Sequence, residues 1–201
     1  MTSRPNLFGL GRPELAGLVR DLGQPAYRAG QVFRWLYARR ARSISAMTDL
    51  SRPLRETLQE SHDLRWPEVA ERSRSADGTV KFLFRLHDQA TIESVYIPEE
   101  RRRTICISTQ AGCPLKCGFC LTGISGYTRN LKVWEILGQV AVVMDEHGPD
   151  EASDARPWNI VVMGMGEPLL NYEATVQALR IFMDPEGFAI APRRLTLSTV
   201  G

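Results

Sequence analysis

Three cysteines in the run Cys113-Pro-Leu-Lys-Cys117-Gly-Phe-Cys120 put three thiols on one tight loop. Thiolates are the ligands of soft-metal sites and iron–sulfur clusters, and this spacing closes three corners of such a site without long-range folding. Three ligands are one short of a closed tetrahedral zinc site or of a fully ligated four-iron cluster. A chain with this run must therefore present the loop at an opening, where a coordination position is left for something other than protein. The alternative is a structural zinc ion with a fourth ligand from Cys106, His62, His87 or His147, none of which stands at the usual finger spacing.

All four cysteines fall between positions 106 and 120, unlike a disulfide framework spread over a small secreted domain. The start, Met-Thr-Ser-Arg-Pro-Asn, has no apolar core of a signal peptide behind it, and no apolar run is long enough to span a bilayer. The expected setting is the cytoplasm, with no membrane partner. The net charge of +2 hides an asymmetry: residues 1–65 hold eleven arginines against six acids, so the rest of the chain is net negative. A basic N-terminal unit is a weak pointer to nucleic acid, set against a plain composition bias toward Arg.

Periodicity divides the chain. Leu15, Leu18, Val19 and Leu22 recur at helical spacing until Gly23 and Pro25. Val32, Phe33, Leu36 and Tyr37 mark a second helix from about Tyr27, and Leu50, Leu54 and Leu58 a third, with Ser51 as cap and Pro53 in its first turn. Asp77-Gly78 then precedes a strand over 79–86, which pairs as a hairpin with a second over 90–97, and a third strand over 104–108 enters the cysteine loop. Beyond the loop come a helix with Val133, Ile136, Leu137, Val140, Val143 and Met144 on one face, ended by Gly148-Pro149, and a strand over 159–163 that is a continuous apolar run after Asn159. A helix over about 171–183 and a β-element over 195–198 complete the pattern. The fold class is α/β, of barrel or doubly wound type: a small helical domain over 1–65, a β-hairpin extension over 66–103, and over 104–201 the first part of a (β/α) core. Because a parallel strand normally feeds a crossover helix, the expected short sheet with an open edge reads as the N-terminal portion of a longer enzyme.

Chemistry concentrates in a few other places. Gly164-Met-Gly166-Glu167-Pro168 follows the buried strand, at the carboxyl end where α/β folds bind ligands, and Glu167 suits an ammonium group. Cys106 is either an inert core thiol or a redox or nucleophilic one. Glu93 reads first as a solvent-facing strand carboxylate, and Arg101-Arg-Arg103 as a solvated turn or a phosphate contact. Ser198 has no distinguishing feature of its own.

Taken together, Glu93-Ser-Val-Tyr-Ile-Pro-Glu99, Cys106-Ile-Ser-Thr-Gln110, Ala111-Gly-Cys113-Pro-Leu-Lys-Cys117-Gly-Phe-Cys120, Met163-Gly-Met-Gly-Glu-Pro-Leu-Leu-Asn171 and Arg194-Leu-Thr-Leu-Ser-Thr199 closely resemble the RlmN family. These are radical S-adenosylmethionine (SAM) enzymes, dual-specificity RNA methyltransferases related to the Cfr methylases, and the likeness runs along nearly the whole chain. It implies a partial (β/α) barrel, a 4Fe-4S cluster on Cys113, Cys117 and Cys120, and SAM contacts from Gly166, Glu167 and Ser198. It implies methylation of C2 of an adenosine in 23S ribosomal RNA and, in some members, of an adenosine beside the tRNA anticodon. Glu93 matches the proton acceptor, and Cys106 the thiol that releases product from a protein–RNA adduct. Adenine C2 is neither acidic nor nucleophilic, so the family methylates a carrier cysteine that lies near its C-terminus and, by removing a hydrogen from that methyl group, makes the carbon radical that adds to C2. No cysteine follows Cys120 here, so the 201 residues by themselves are expected to lack turnover. A monomer served by an external electron donor is expected. A Cfr-like enzyme acting on C8 and a metal-stabilised RNA-binding module without catalysis are the alternatives.

Overall fold

The computed structural model describes residues 4–148 and 156–201. The N-terminal helices are α1 (Arg12–Asp21), α2 (Tyr27–Tyr37) and α3 (Arg52–Ser61). Each turns an apolar stripe inward, with Leu15 and Val19, then Val32, Phe33, Leu36 and Tyr37, then Leu54 and Leu58 buried. Ser51 occupies the N-cap of α3 without a side-chain capping bond, and Pro53 sits in its first turn, where a missing N–H costs nothing.

A six-stranded sheet follows. Strands β1 (Glu68–Arg74), β2 (Val80–Arg85), β3 (Thr91–Pro98) and β4 (Arg103–Cys106) are antiparallel neighbours. β4 then pairs in parallel with β7 (Trp158–Val162), and β7 with β8 (Leu195–Leu197). The predicted hairpin is present, joined directly to the parallel strands, so the sheet is broader than the short one expected. β1 escaped prediction because Glu68-Val-Ala-Glu-Arg-Ser-Arg is nearly all exposed and polar, the composition of a protected edge. The three parallel strands lie side by side in chain order, as in a barrel and as in either half of a doubly wound sheet.

The crossovers are α5 (Val133–His147) and α6 (Tyr172–Met183), which pack against each other on one face of the sheet. α5 ends at His147 as expected, while Pro149 lies outside the described residues. The sheet face beneath α5 carries Phe82, Phe84, Ile92, Tyr96 and Ile105, all buried. Ser94 donates to Gln139 of α5, and Tyr96 stacks on His147 at 4.0 Å. The opposite face holds Lys81, Leu83, Glu93, Val95 and Cys106, less buried.

The N-terminal helices lie on the outer helix layer. Arg12 reaches Asp184 and Glu186, Arg34 reaches Glu186, and Arg40 and Arg42 share Asp145 on α5. Part of the arginine excess in residues 1–65 is thus neutralised by acids of the α/β part. Among the described residues Arg28, Arg39 and Arg55 have no carboxylate partner; Arg39 lies over the Trp35 ring at 4.2 Å. Arg102 pairs with Glu99 and Arg103 is buried over Trp158 at 4.0 Å, so of that triplet Arg101 and Arg102 are exposed and Arg103 is not.

Candidate active site at the carboxyl end of the sheet

In α/β folds the loops that leave the carboxyl ends of parallel strands converge, and the functional side chains gather there. The loop after β4 begins with β5 (Gln110–Gly112) and returns through β6 (Tyr127–Asn130), an antiparallel pair too short to show alternation in sequence. This miniature ladder closes the cysteine loop at its base, where the Cys113 amide donates to the Gly126 carbonyl at 2.9 Å. Gly112 has φ +80°, and a Cβ there would stand 2.0 Å from the Gly126 oxygen. A five-residue helix, α4 (Leu121–Ser125), starts directly after Cys120. The N–H groups of Gly123 and Thr122 and the Thr122 hydroxyl point at the Cys120 sulfur and hold its pKa below the ordinary thiol value, against slight desolvation.

Cys113, Cys117 and Cys120 are free thiols, partly exposed, lining one cavity of about 400 Å³. Its opposite wall is Gly164, Gly166, Glu167, Ser198, Thr199 and Val200. The structure therefore brings together the cysteine run, the Gly-Met-Gly-Glu turn after β7 and Ser198 just after β8. Phe119, 94 % exposed, stands at the rim. No group of three His, Cys, Asp or Glu side chains among the described residues meets around a single ion. The histidines named as fourth ligands are engaged elsewhere: His62 with Ser61, His87 beside Glu135, and His147 stacked on Tyr96. The donor set fits the cluster.

Glu167 is 6 % exposed. Burial pushes its carboxyl up, but the Thr199 hydroxyl (2.6 Å) and the amides of Leu169 (3.0 Å) and Val200 (3.1 Å) more than offset this, holding it below the usual carboxylate range. Leu169 and Thr199 both donate to Oε1 and Val200 donates to Oε2, leaving one lone pair of Oε2 for a further donor.

Glu93 and Cys106 lie on one sheet face. Cys106 pairs in register with Val95, two residues from Glu93, which makes the two side chains diagonal neighbours about 7–8 Å apart. The Glu93 carboxylate contacts Lys81 Nζ at 2.9 Å and lines a second cavity with Leu121, Thr122 and Met165. Thr122 borders both cavities, so Glu93 flanks the cysteine loop. Cys106 does not line the main cavity; burial pushes its thiol up, with the Met163 amide opposing. Sequence reasoning missed Lys81, Gln110, Asn130 and Thr199. Lys81 carries no motif signal; Thr199 ends a quoted motif, but its bond to Glu167, like the pairings of Gln110 and Asn130, is created only by the folded chain.

This arrangement, with parallel strands wound in order, helices on one face and a three-cysteine loop at the carboxyl end, is the architecture of the radical SAM class. A solved radical SAM methyltransferase from Sphaerobacter thermophilus matches with TM-score 0.87 and 40 % identity over 98 % of this chain and 57 % of that one. Residues 5–64 match the family model for the ribosomal RNA large subunit methyltransferase N-terminal domain. The chain is 48 % identical over 195 residues to the dual-specificity RNA methyltransferase RlmN of Halorhodospira halophila, covering 97 % of this chain and 53 % of that protein. It is 46 % identical to that of Solidesulfovibrio magneticus, with 98 % and 56 % covered. The chain is similar to the N-terminal part of these RlmN proteins and spans about half the length of the curated relatives it matches.

Proposed function

We propose that these residues form the cluster- and SAM-binding part of a methyltransferase acting on C2 of an adenosine in 23S ribosomal RNA, and on a tRNA adenosine beside the anticodon. The observation that carries this reading is the single cavity shared by Cys113, Cys117, Cys120, Glu167 and Ser198. The three thiols would hold a 4Fe-4S cluster, and the open lone pair of Glu167 together with the Gly166 backbone and Ser198 would receive SAM. When bound, the cluster supplies an electron to the SAM sulfonium and SAM supplies the methyl group. Glu93, in contact with Lys81 Nζ at 2.9 Å, accepts the proton that leaves adenine C2. Cys106, on the same sheet face, provides the thiol that frees the product. RNA phosphates are met by arginines without carboxylate partners, Arg28, Arg39 and Arg55.

Anaerobic reconstitution with iron and sulfide tests the site. The expected result is a brown protein with about four irons per chain, lost when Cys113, Cys117 and Cys120 are changed to Ser; a colourless protein holding one zinc refutes it. For the reaction, nucleosides from ribosomal RNA treated with an enzyme of full family length carrying these residues should contain 2-methyladenosine. Detection of 8-methyladenosine instead moves the assignment to the Cfr-like chemistry.

A further inference from the structure

Two buried side-chain amides connect the cysteine loop to the Glu167 turn, and neither has a role in the reading above. Gln110, 1 % exposed, lies three residues before Cys113. Its Oε1 accepts from the Glu167 amide at 2.8 Å and its Nε2 donates to Asn130 Oδ1 at 2.7 Å, across the ladder that closes the loop. The return connection is Asn171, 7 % exposed, just beyond the Glu167 turn. Its Nδ2 donates to the carbonyls of Thr109 at 2.8 Å and Leu131 at 2.9 Å, which flank the cysteine loop on its two sides. Packing reinforces the bonds: Gly166 has φ +100°, and a Cβ there would come within 2.5 Å of Gln110 Cβ.

We infer that Gln110 and Asn171 form a reciprocal amide clamp that sets the Glu167 carboxylate at a fixed distance from the cysteine loop, making them positioning residues for SAM. The inference rests on the reading of Glu167 as a SAM contact. Each amide is anchored on one side of the cavity and bonded to backbone on the other, so the two walls cannot shift independently while both sets of bonds hold. Four hydrogen bonds between buried or part-buried groups make the clamp stiff, since water cannot substitute for a lost partner there. A carboxylate that must present one remaining lone pair to an incoming ammonium needs that stiffness, because an error of about 1 Å in position is costly in a preorganised site.

The test uses an enzyme of full family length carrying these residues, reconstituted with iron and sulfide, in wild-type form and as Gln110→Glu and Asn171→Asp. Both variants preserve side-chain shape. The first removes the donor to Asn130, and the second turns two amide donations into carboxylate–carbonyl repulsion. Val142→Ala, in the α5 core, is the control for stability loss alone. Four readouts are compared: iron per chain, Tm, the SAM dissociation constant by equilibrium dialysis with labelled SAM, and amide hydrogen exchange in the peptide 163–170. The clamp predicts unchanged iron, SAM binding weakened about tenfold, near the worth of one hydrogen bond, and faster exchange in 163–170. Val142→Ala should lower Tm without changing SAM affinity. Wild-type affinity in Asn171→Asp, which loses both of its donations across the cavity, or iron and SAM lost together, overturns the clamp. A wild-type chain that takes up iron but no SAM instead overturns the reading of Glu167, and the clamp's purpose with it.

Discussion

Glu135 is the strongest test of how the cysteine loop is held to the rest of the fold. Its side chain is fully buried, and its carboxylate takes two bonds from Arg129 at 2.7 and 2.8 Å and one from the Lys132 amide at 2.8 Å. Arg129 belongs to β6, the closing strand of the loop, and its guanidinium also grips Asp88 in the β2–β3 turn at 2.5 Å. One arginine thereby ties the cysteine loop, α5 and the Glu93 hairpin together. Glu135→Ala leaves Arg129 without its buried partner and removes the carboxylate bonded at the start of α5. Unpairing a buried ion costs about 3–5 kcal/mol; Arg129 keeps Asp88 and is 24 % exposed, which places the expected loss near the lower end, about 3 kcal/mol. For a chain of this size that is a fall in Tm of about 6–12 °C. Asp88→Ala removes the outer partner, itself 34 % exposed, and should cost about 1 kcal/mol or less. Urea denaturation followed by circular dichroism measures both. Equal losses from the two substitutions would refute the argument that burial decides the worth of this network.

Other consequences are equally direct. Gly112→Ala forces a Cβ against the Gly126 carbonyl in a left-handed conformation, so loop closure should weaken by about 3 kcal/mol or more and iron uptake should fall with it; normal uptake contradicts this. Asp88 is held below its ordinary pKa by Arg129, and Asp184 and Glu186 by Arg12. In acid the unfolded chain therefore takes up protons first, and stability should decline as pH falls below about 4, which a flat denaturation midpoint down to pH 3 would disprove. His147 is depressed by burial and by Arg74 and Arg72, with Glu146 opposing, so its contribution is lost as pH drops through about 6.5. His147→Phe keeps the stack on Tyr96 and should narrow the stability gap between pH 7.5 and 5.5. In a full-length enzyme, Cys106→Ala should trap a protein–RNA adduct on a denaturing gel; normal product release argues against its assigned role.

Local residue chemistry settled a good deal in advance. The cysteine spacing defined an incomplete metal site, the helical stripes through Leu15, Phe33 and Leu54 located α1 to α3, and the apolar run ahead of Gly164 marked the central parallel strand. Such features depend on neighbours within a few turns of chain, so periodicity and spacing record them. The tertiary structure decided what depends on partners distant in sequence. Only it set the parallel strands side by side in chain order, put Glu93 and Cys106 on one sheet face through the Val95–Cys106 register, and directed four arginines of the basic N-terminal unit to acids on or beside α5 and α6. It also paired Gln110 with Glu167 and Asn171 with Thr109 and Leu131, across separations of 57, 62 and 40 residues. A buried amide has no periodicity to betray it. Its significance comes from the backbone groups it satisfies, and those reach it only once the chain has folded.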